Sequence, residues 1–176
     1  MMSESEFFAG ITGSENDLAL AVRALRASGQ PFCLIGGLAV NHYAEPVVTL
    51  DADFAIAARP GVAEALRAAG FEVAEHPHSL NATQPGSRLR LQFTVDPRYA
   101  QFPARAVPTT LFGVELPVAA LADLVQGKLW AAQDETGRAS KRLKDKADLL
   151  RLAEAHPAAL ALIPPGFIPE ADALRP

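Results

Sequence analysis

Residues 32–56 read FCLIGGLAVNHYAEPVVTLDADFAI. The apolar run 32–35 has the length of a short buried strand and runs into Gly36-Gly37. Residues 38–43 then suit a short helix, which Glu45-Pro46 ends because the residue before a proline disfavours the α region. Residues 47–57 read as a second strand, with an apolar tail at 54–58 typical of a strand covered on both faces. That strand carries Asp51 and Asp53. Side chains at i and i+2 of a strand share a face, about 6–7 Å apart. Two acids on an otherwise apolar strand are costly unless something binds them. Beside a Gly-Gly turn, such a pair suits holding divalent cations against phosphate groups.

Working outward, Ser14 is a candidate N-cap for a helix whose apolar positions Leu18, Ala21, Val22 and Leu25 fall at helical spacing, and Gly29 stops it. Pro60 opens a further helix that Gly70 closes. Residues 71–74 continue as a strand, and 76–87, with Pro, Asn and Gly, read as a surface turn. From 89 to 95 the chain alternates, with Leu89, Leu91, Phe93 and Val95 on one face and Arg90, Gln92 and Thr94 on the other. Residues 107–118 suit a hairpin turning at Phe112-Gly113. Residues 119–132 and 140–155 read as two helices, Ser140 capping the second, and 157–162 as one more helical turn. The proline-rich tail 164–176 is expected to be loosely held. The order implies one α/β (α+β) domain over residues 1–176, with its core at about 30–156, a mixed sheet flanked by helices, and a helical C-terminal part.

Composition narrows the function. The net charge of −4 excludes a molecule that is basic throughout, so an anionic ligand must be met by local cations, backbone N–H groups or metal. No apolar run approaches the roughly 20 residues needed to cross a bilayer. The acidic, polar start MMSESEFFAG lacks the pattern of a signal peptide. Cys33, the single cysteine, cannot form an internal disulfide and reads as a small buried hydrophobe, which fits a cytoplasmic location.

Gly36-Gly37 followed by Thr49-Leu50-Asp51-Ala52-Asp53, with Lys128 on one later helix and Lys144-Asp145 and Asp148 on the next, resembles the nucleotidyltransferase superfamily. Within it, the pattern is similar to the minimal nucleotidyltransferases grouped with the AbiEii toxins of bacterial abortive-infection and toxin–antitoxin systems. The resemblance covers residues 30–156. It implies a nucleotidyltransferase-like fold and Mg²⁺- (or Mn²⁺-) dependent transfer of a nucleoside monophosphate from an NTP to an acceptor in RNA (tRNA among them), protein or a small molecule. It also implies a small partner protein of a toxin–antitoxin pair. Asp51 and Asp53 become the catalytic metal ligands; Gly36, Gly37, Thr49 and Lys128 become nucleotide- and phosphate-binding residues.

The family pattern usually has a third carboxylate on a neighbouring strand. Here Asp96, at the end of the alternating segment, is the candidate; Gln92 at that place instead would leave no acid there. A chain so altered would be a nucleotide- or partner-binding module on the same fold. Val47 stands where related proteins often carry Arg. Arg138, Lys141, Arg142, Lys144 and Lys146 form a basic cluster suited to triphosphate or RNA, or a solvated helix face that pairs with Asp145 and Asp148. Lys128 reads either as a phosphate contact or as a surface lysine. His76 and His78 flank a proline in a turn, without a third metal ligand in view.

Overall fold

The computed structural model describes residues 17–176; the candidate cap Ser14 lies outside them. Seven strands form one mixed sheet in the order β3-β4-β5-β2-β1-β7-β6. The strands are β1 (Phe32–Ile35), β2 (Asp51–Ile56), β3 (Glu72–His76), β4 (Ser79–Thr83), β5 (Arg90–Thr94), β6 (Val107–Leu111) and β7 (Val114–Val118). The helices are α1 (Asp17–Ser28), α2 (Gly36–Tyr43), α3 (Val62–Ala68), α4 (Phe102–Arg105), α5 (Leu121–Gln133), α6 (Ala139–Ala155), α7 (Pro157–Leu162) and α8 (Pro169–Asp172). A 3₁₀ turn spans Pro97–Tyr99.

β1 runs antiparallel to β2 and parallel to β7, while β2 runs parallel to β5. The strand period of two divides β2 between the faces of the sheet. Ala52, Phe54 and Ile56 enter the main core with Leu34, Leu91, Phe93 and the apolar sides of α1 and α3. Phe54 and Phe93 are fully buried and stacked, ring centroids 5.4 Å apart. Burying each ring stabilises the fold by about 1.5–3 kcal/mol. Ala55 and Cys33 face the other side, under Phe102 of α4 and Trp130 of α5. Burial pushes the Cys33 thiol up to about 12, with Asp123 adding to the effect, so the cysteine is an inert filler.

Three expectations need correction. Residues 47–50 lie outside the strand, and Val47 and Val48 are exposed, because the Asn41 side chain takes both the N–H and the carbonyl of Val47. The expected surface turn contains β4, whose Leu80 and Ala82 are buried on either side of an exposed Asn81. The tail packs rather than trailing: Ile168 and Ala171 are buried, Arg175 donates to the Ile163 carbonyl at 2.6 Å, and Lys146 lies over the Phe167 ring. The expected hairpin turn is present, with Phe112 at φ 51° and Gly113 at φ 76°. Two successive positive φ angles match the twist of the flanking strands. Among the described residues no helix is long and apolar enough to cross a membrane.

Candidate active site

β1 ends opposite Asp53, since Ile35 pairs with Asp53 in the antiparallel register. The chain then turns at Gly36 directly into α2. Gly36 has φ 71°, a left-handed conformation that costs an L-residue roughly 1–2 kcal/mol. A Cβ there would overlap the Asp53 carboxylate, lying 2.9 Å from both Cβ and Cγ of that residue. The carboxylate thus occupies the space that Gly36 leaves open. The first turn of α2 has no side-chain cap, so its N–H groups remain available to an anion. Gly37 adjoins Thr49, whose Oγ1 accepts from the Asp51 N–H at 3.2 Å. Gly36, Gly37, Thr49, Asp51 and Asp53 therefore come together at one end of β1 and β2.

The two glycines predict a contrast. Gly36→Ala is expected to cost about 2 kcal/mol or more, because it adds a clash to a strained φ. Gly37→Ala would meet only Thr49 Oγ1 at 3.8 Å and should be nearly neutral. Paired thermal melts check this; equal losses would refute the cradle.

Burial pushes the Asp53 carboxyl above its ordinary value; Lys128 opposes this, Asp51 adds to it, and Lys141 and Lys144 oppose it. The site thus gathers negative charge with cations around it. Two carboxylates on one strand face are the hard oxygen donors that Mg²⁺ or Mn²⁺ takes.

The neighbouring strand is unexpected. β5 places Arg90 opposite Asp51 and Gln92 opposite Asp53, and Asn81 of β4 lies beyond Gln92. Arg90 Nε stands 2.8 Å from Asp51 Oδ1. The expectation that Asp96 completes an acid set is corrected. Asp96 lies four residues beyond Gln92, about 13 Å along the strand direction. It caps the 3₁₀ turn and binds Arg98 at 2.7 Å, which together hold its carboxyl below the usual range. Among the described residues no group of three or more His, Cys, Asp or Glu is placed to hold a metal. His76 and His78 are included in that statement. Alternation along 89–95 puts Arg90 on the polar face, but its pairing with Asp51 depends on cross-strand register, which the sequence does not encode locally.

The surface-lysine reading of Lys128 is also corrected. It is buried rather than a surface lysine, with Nζ 2.8 Å from Asp145 Oδ1 and 2.7 Å from Asp148 Oδ2. Burial pulls its pKa down, and Asp148 and Asp145 outweigh that pull. Two of its three donors therefore serve the protein. Asp148 also meets Arg151 at 2.8 Å, and Arg151 reaches Asn41 Oδ1 at 2.8 Å and the Glu45 carbonyl. This chain of polar contacts ties α5 and α6 to α2 and to the loop ahead of β2. Of the basic cluster, Lys141 approaches Asp145 at 3.5 Å while staying exposed.

The family model of the nucleotidyl transferase AbiEii toxin, from a type IV toxin–antitoxin system, matches residues 19–167. The chain belongs to this family. It is a nucleotidyltransferase, and the whole strand–Gly-Gly–helix–strand unit and helices α5 and α6 fall inside the match. Among solved structures it is similar to a Helicobacter pylori protein assigned to the nucleotidyltransferases, with 17% identity and a TM-score of 0.56. That match covers 82% of this chain and 69% of the other. The antibiotic-resistance factor ANT(2'')-Ia matches at 14% identity and TM-score 0.53, over 89% of this chain and 87% of its own. The lincosamide antibiotic adenylyltransferase LnuA, in its lincomycin-bound structure, matches at 12% identity and TM-score 0.53, over 80% and 99%. At these identities the likeness concerns the fold alone. No curated protein is a significant match to the chain.

Proposed function

We propose that this nucleotidyltransferase moves a nucleoside monophosphate from an NTP to an acceptor nucleophile in RNA, protein or a small molecule, with Mg²⁺ or Mn²⁺ held by Asp51 and Asp53. The observation that carries this reading is the seating of the Asp53 carboxylate over Gly36, next to the uncapped start of α2 and on the same face as Asp51. An acceptor oxygen attacks the α-phosphorus. The bond from that phosphorus to the bridging oxygen breaks, the electron pair leaves with pyrophosphate, and the acceptor proton passes to solvent. When bound, a divalent cation would neutralise phosphate charge and polarise the phosphoryl oxygens. The chain's own part is placement and charge: α2 N–H groups hold phosphate, Thr49 fixes the Asp51 backbone, and the field of Lys128 favours the ionised form of Asp53. Lys128 acts from behind the site rather than as a phosphate clamp. The family name supports a further proposal, that the protein is the toxin of a pair whose second member is a small antitoxin.

Calorimetric titration of the four NTPs with Mg²⁺ or Mn²⁺ tests the reading. The wild type is expected to bind at least one NTP in a metal-dependent way, and Asp51→Ala/Asp53→Ala is expected to lose that binding while keeping its fold. Equal binding by the double variant would sink the assignment. No binding by the wild type would turn attention to a role in contacting a partner protein.

A further inference from the structure

Around Asp51 and Asp53, the neighbouring strand supplies a cation and an amide where a further acid would extend the carboxylate set. Arg90 is paired with Asp51, and Gln92 and Asn81 continue the row beside Asp53. The charges decide how many metal ions this arrangement holds. Asp51 and Asp53 supply two negative charges and Arg90 offsets one of them. One divalent cation leaves the group modestly positive, which suits a triphosphate. A second, about 3.5–4 Å from the first, would face both that ion and the guanidinium with no further carboxylate to offset it. An amide oxygen from Gln92 carries no net charge to help. A guanidinium is also a phosphate ligand, since its fork of N–H donors matches two phosphate oxygens.

We propose that this site takes a single divalent cation, and that Arg90 stands in for a second by leaving Asp51 and binding the triphosphate once the cation and nucleotide enter. The inference rests on the reading of Asp51 and Asp53 given above. It makes Arg90 a ligand for substrate in the occupied site and a plug on Asp51 in the empty one. Arg90 has room for both, because its side chain is two-thirds exposed at 67%.

The test counts Mn²⁺ by electron paramagnetic resonance, after equilibrium dialysis against the α,β-methylene analogues of the four NTPs. The wild type is expected to hold one Mn²⁺ per chain in the analogue complex, and Gln92→Glu to hold two. Arg90→Gln is expected to move two affinities in opposite directions. Analogue binding should weaken by about tenfold or more through loss of a charge-assisted contact. Mn²⁺ alone should bind more tightly, because Asp51 has lost its competitor. A purely structural role for Arg90 would not split the two in this way. Two Mn²⁺ per chain in the wild-type complex, or unchanged analogue binding in Arg90→Gln, would overturn the inference and leave the site assignment standing. A wild type that binds neither Mn²⁺ nor any analogue would overturn the site assignment itself.

Discussion

Lys128→Met is expected to destabilise the protein by about 3–5 kcal/mol, the usual cost of breaking a buried ion pair from one side. The ammonium lies between Asp145 and Asp148, and all three residues are buried. Methionine fills similar volume, so packing is largely kept and the loss is electrostatic. Asp145 has no adequate replacement. Asp145 would keep only Lys141, at 3.5 Å on an exposed stem, and Asp148 would keep Arg151 at 2.8 Å. Against a typical total stability of about 5–15 kcal/mol, this is a large fraction. Urea denaturation with the slope held in common is the measurement. A loss below about 1 kcal/mol would place Lys128 in the class of solvated surface pairs and contradict the buried network.

Asp53→Asn is expected to lower the rate of nucleotidyl transfer by about 10³-fold, on the scale of losing one preorganised electrostatic group at a reacting phosphate. The amide is nearly isosteric, so the seat over Gly36 is preserved and the lost property is charge. Transfer of label from an α-³²P NTP into RNA or protein, compared with pyrophosphate release, reads the effect. The same substitution should stabilise the metal-free protein, and pH gives the sign. Burial raises the Asp53 carboxyl above its ordinary 3.8, so the folded chain holds that proton more tightly than the unfolded chain. The contribution of Asp53 to stability is therefore largest below 3.8 and falls as pH climbs from there through the raised value. Asp53→Asn should match the wild type at the acid end and exceed it at neutral pH. Melts in EDTA from about pH 4 to about pH 8 decide the matter. A variant less stable than wild type at neutral pH would contradict the burial argument.

The parts of the site that were legible are those whose cause is local. Gly36-Gly37 between an apolar run and a helix, and Asp51 and Asp53 two apart on a strand, carry their geometry in neighbouring residues. Phe112-Gly113 specifies its turn in the same way. The misreadings have non-local causes. Residues 47–50 are rich in strand-forming side chains, but one Asn41 amide draws their backbone out of the sheet. β4 is short and carries Asn81, and pairing on both sides outweighs its turn-like composition. By residue type Asp96 suits a third acid; only the register of β5 against β2 reveals that Gln92 stands opposite Asp53. Asp145 and Asp148 do meet bases on their own helix, Lys141 and Arg151, as helical spacing suggests. Nothing in that spacing announces that both also receive a lysine from another helix.

The contact of Arg151 with Asn41 spans 110 positions of sequence, and that of His156 with the Tyr43 carbonyl spans 113. Contacts so distant along the chain cannot form while its later part is still inside the ribosome. During synthesis the strand bearing Asp51 and Asp53 emerges early, yet the loop leading into it lacks its Arg151 contact until α6 has emerged. The order of translation thus acts as a timer: a chain broken off before residue 151 carries both acids but lacks the brace that sets their approach, and an incomplete product is born without a finished site.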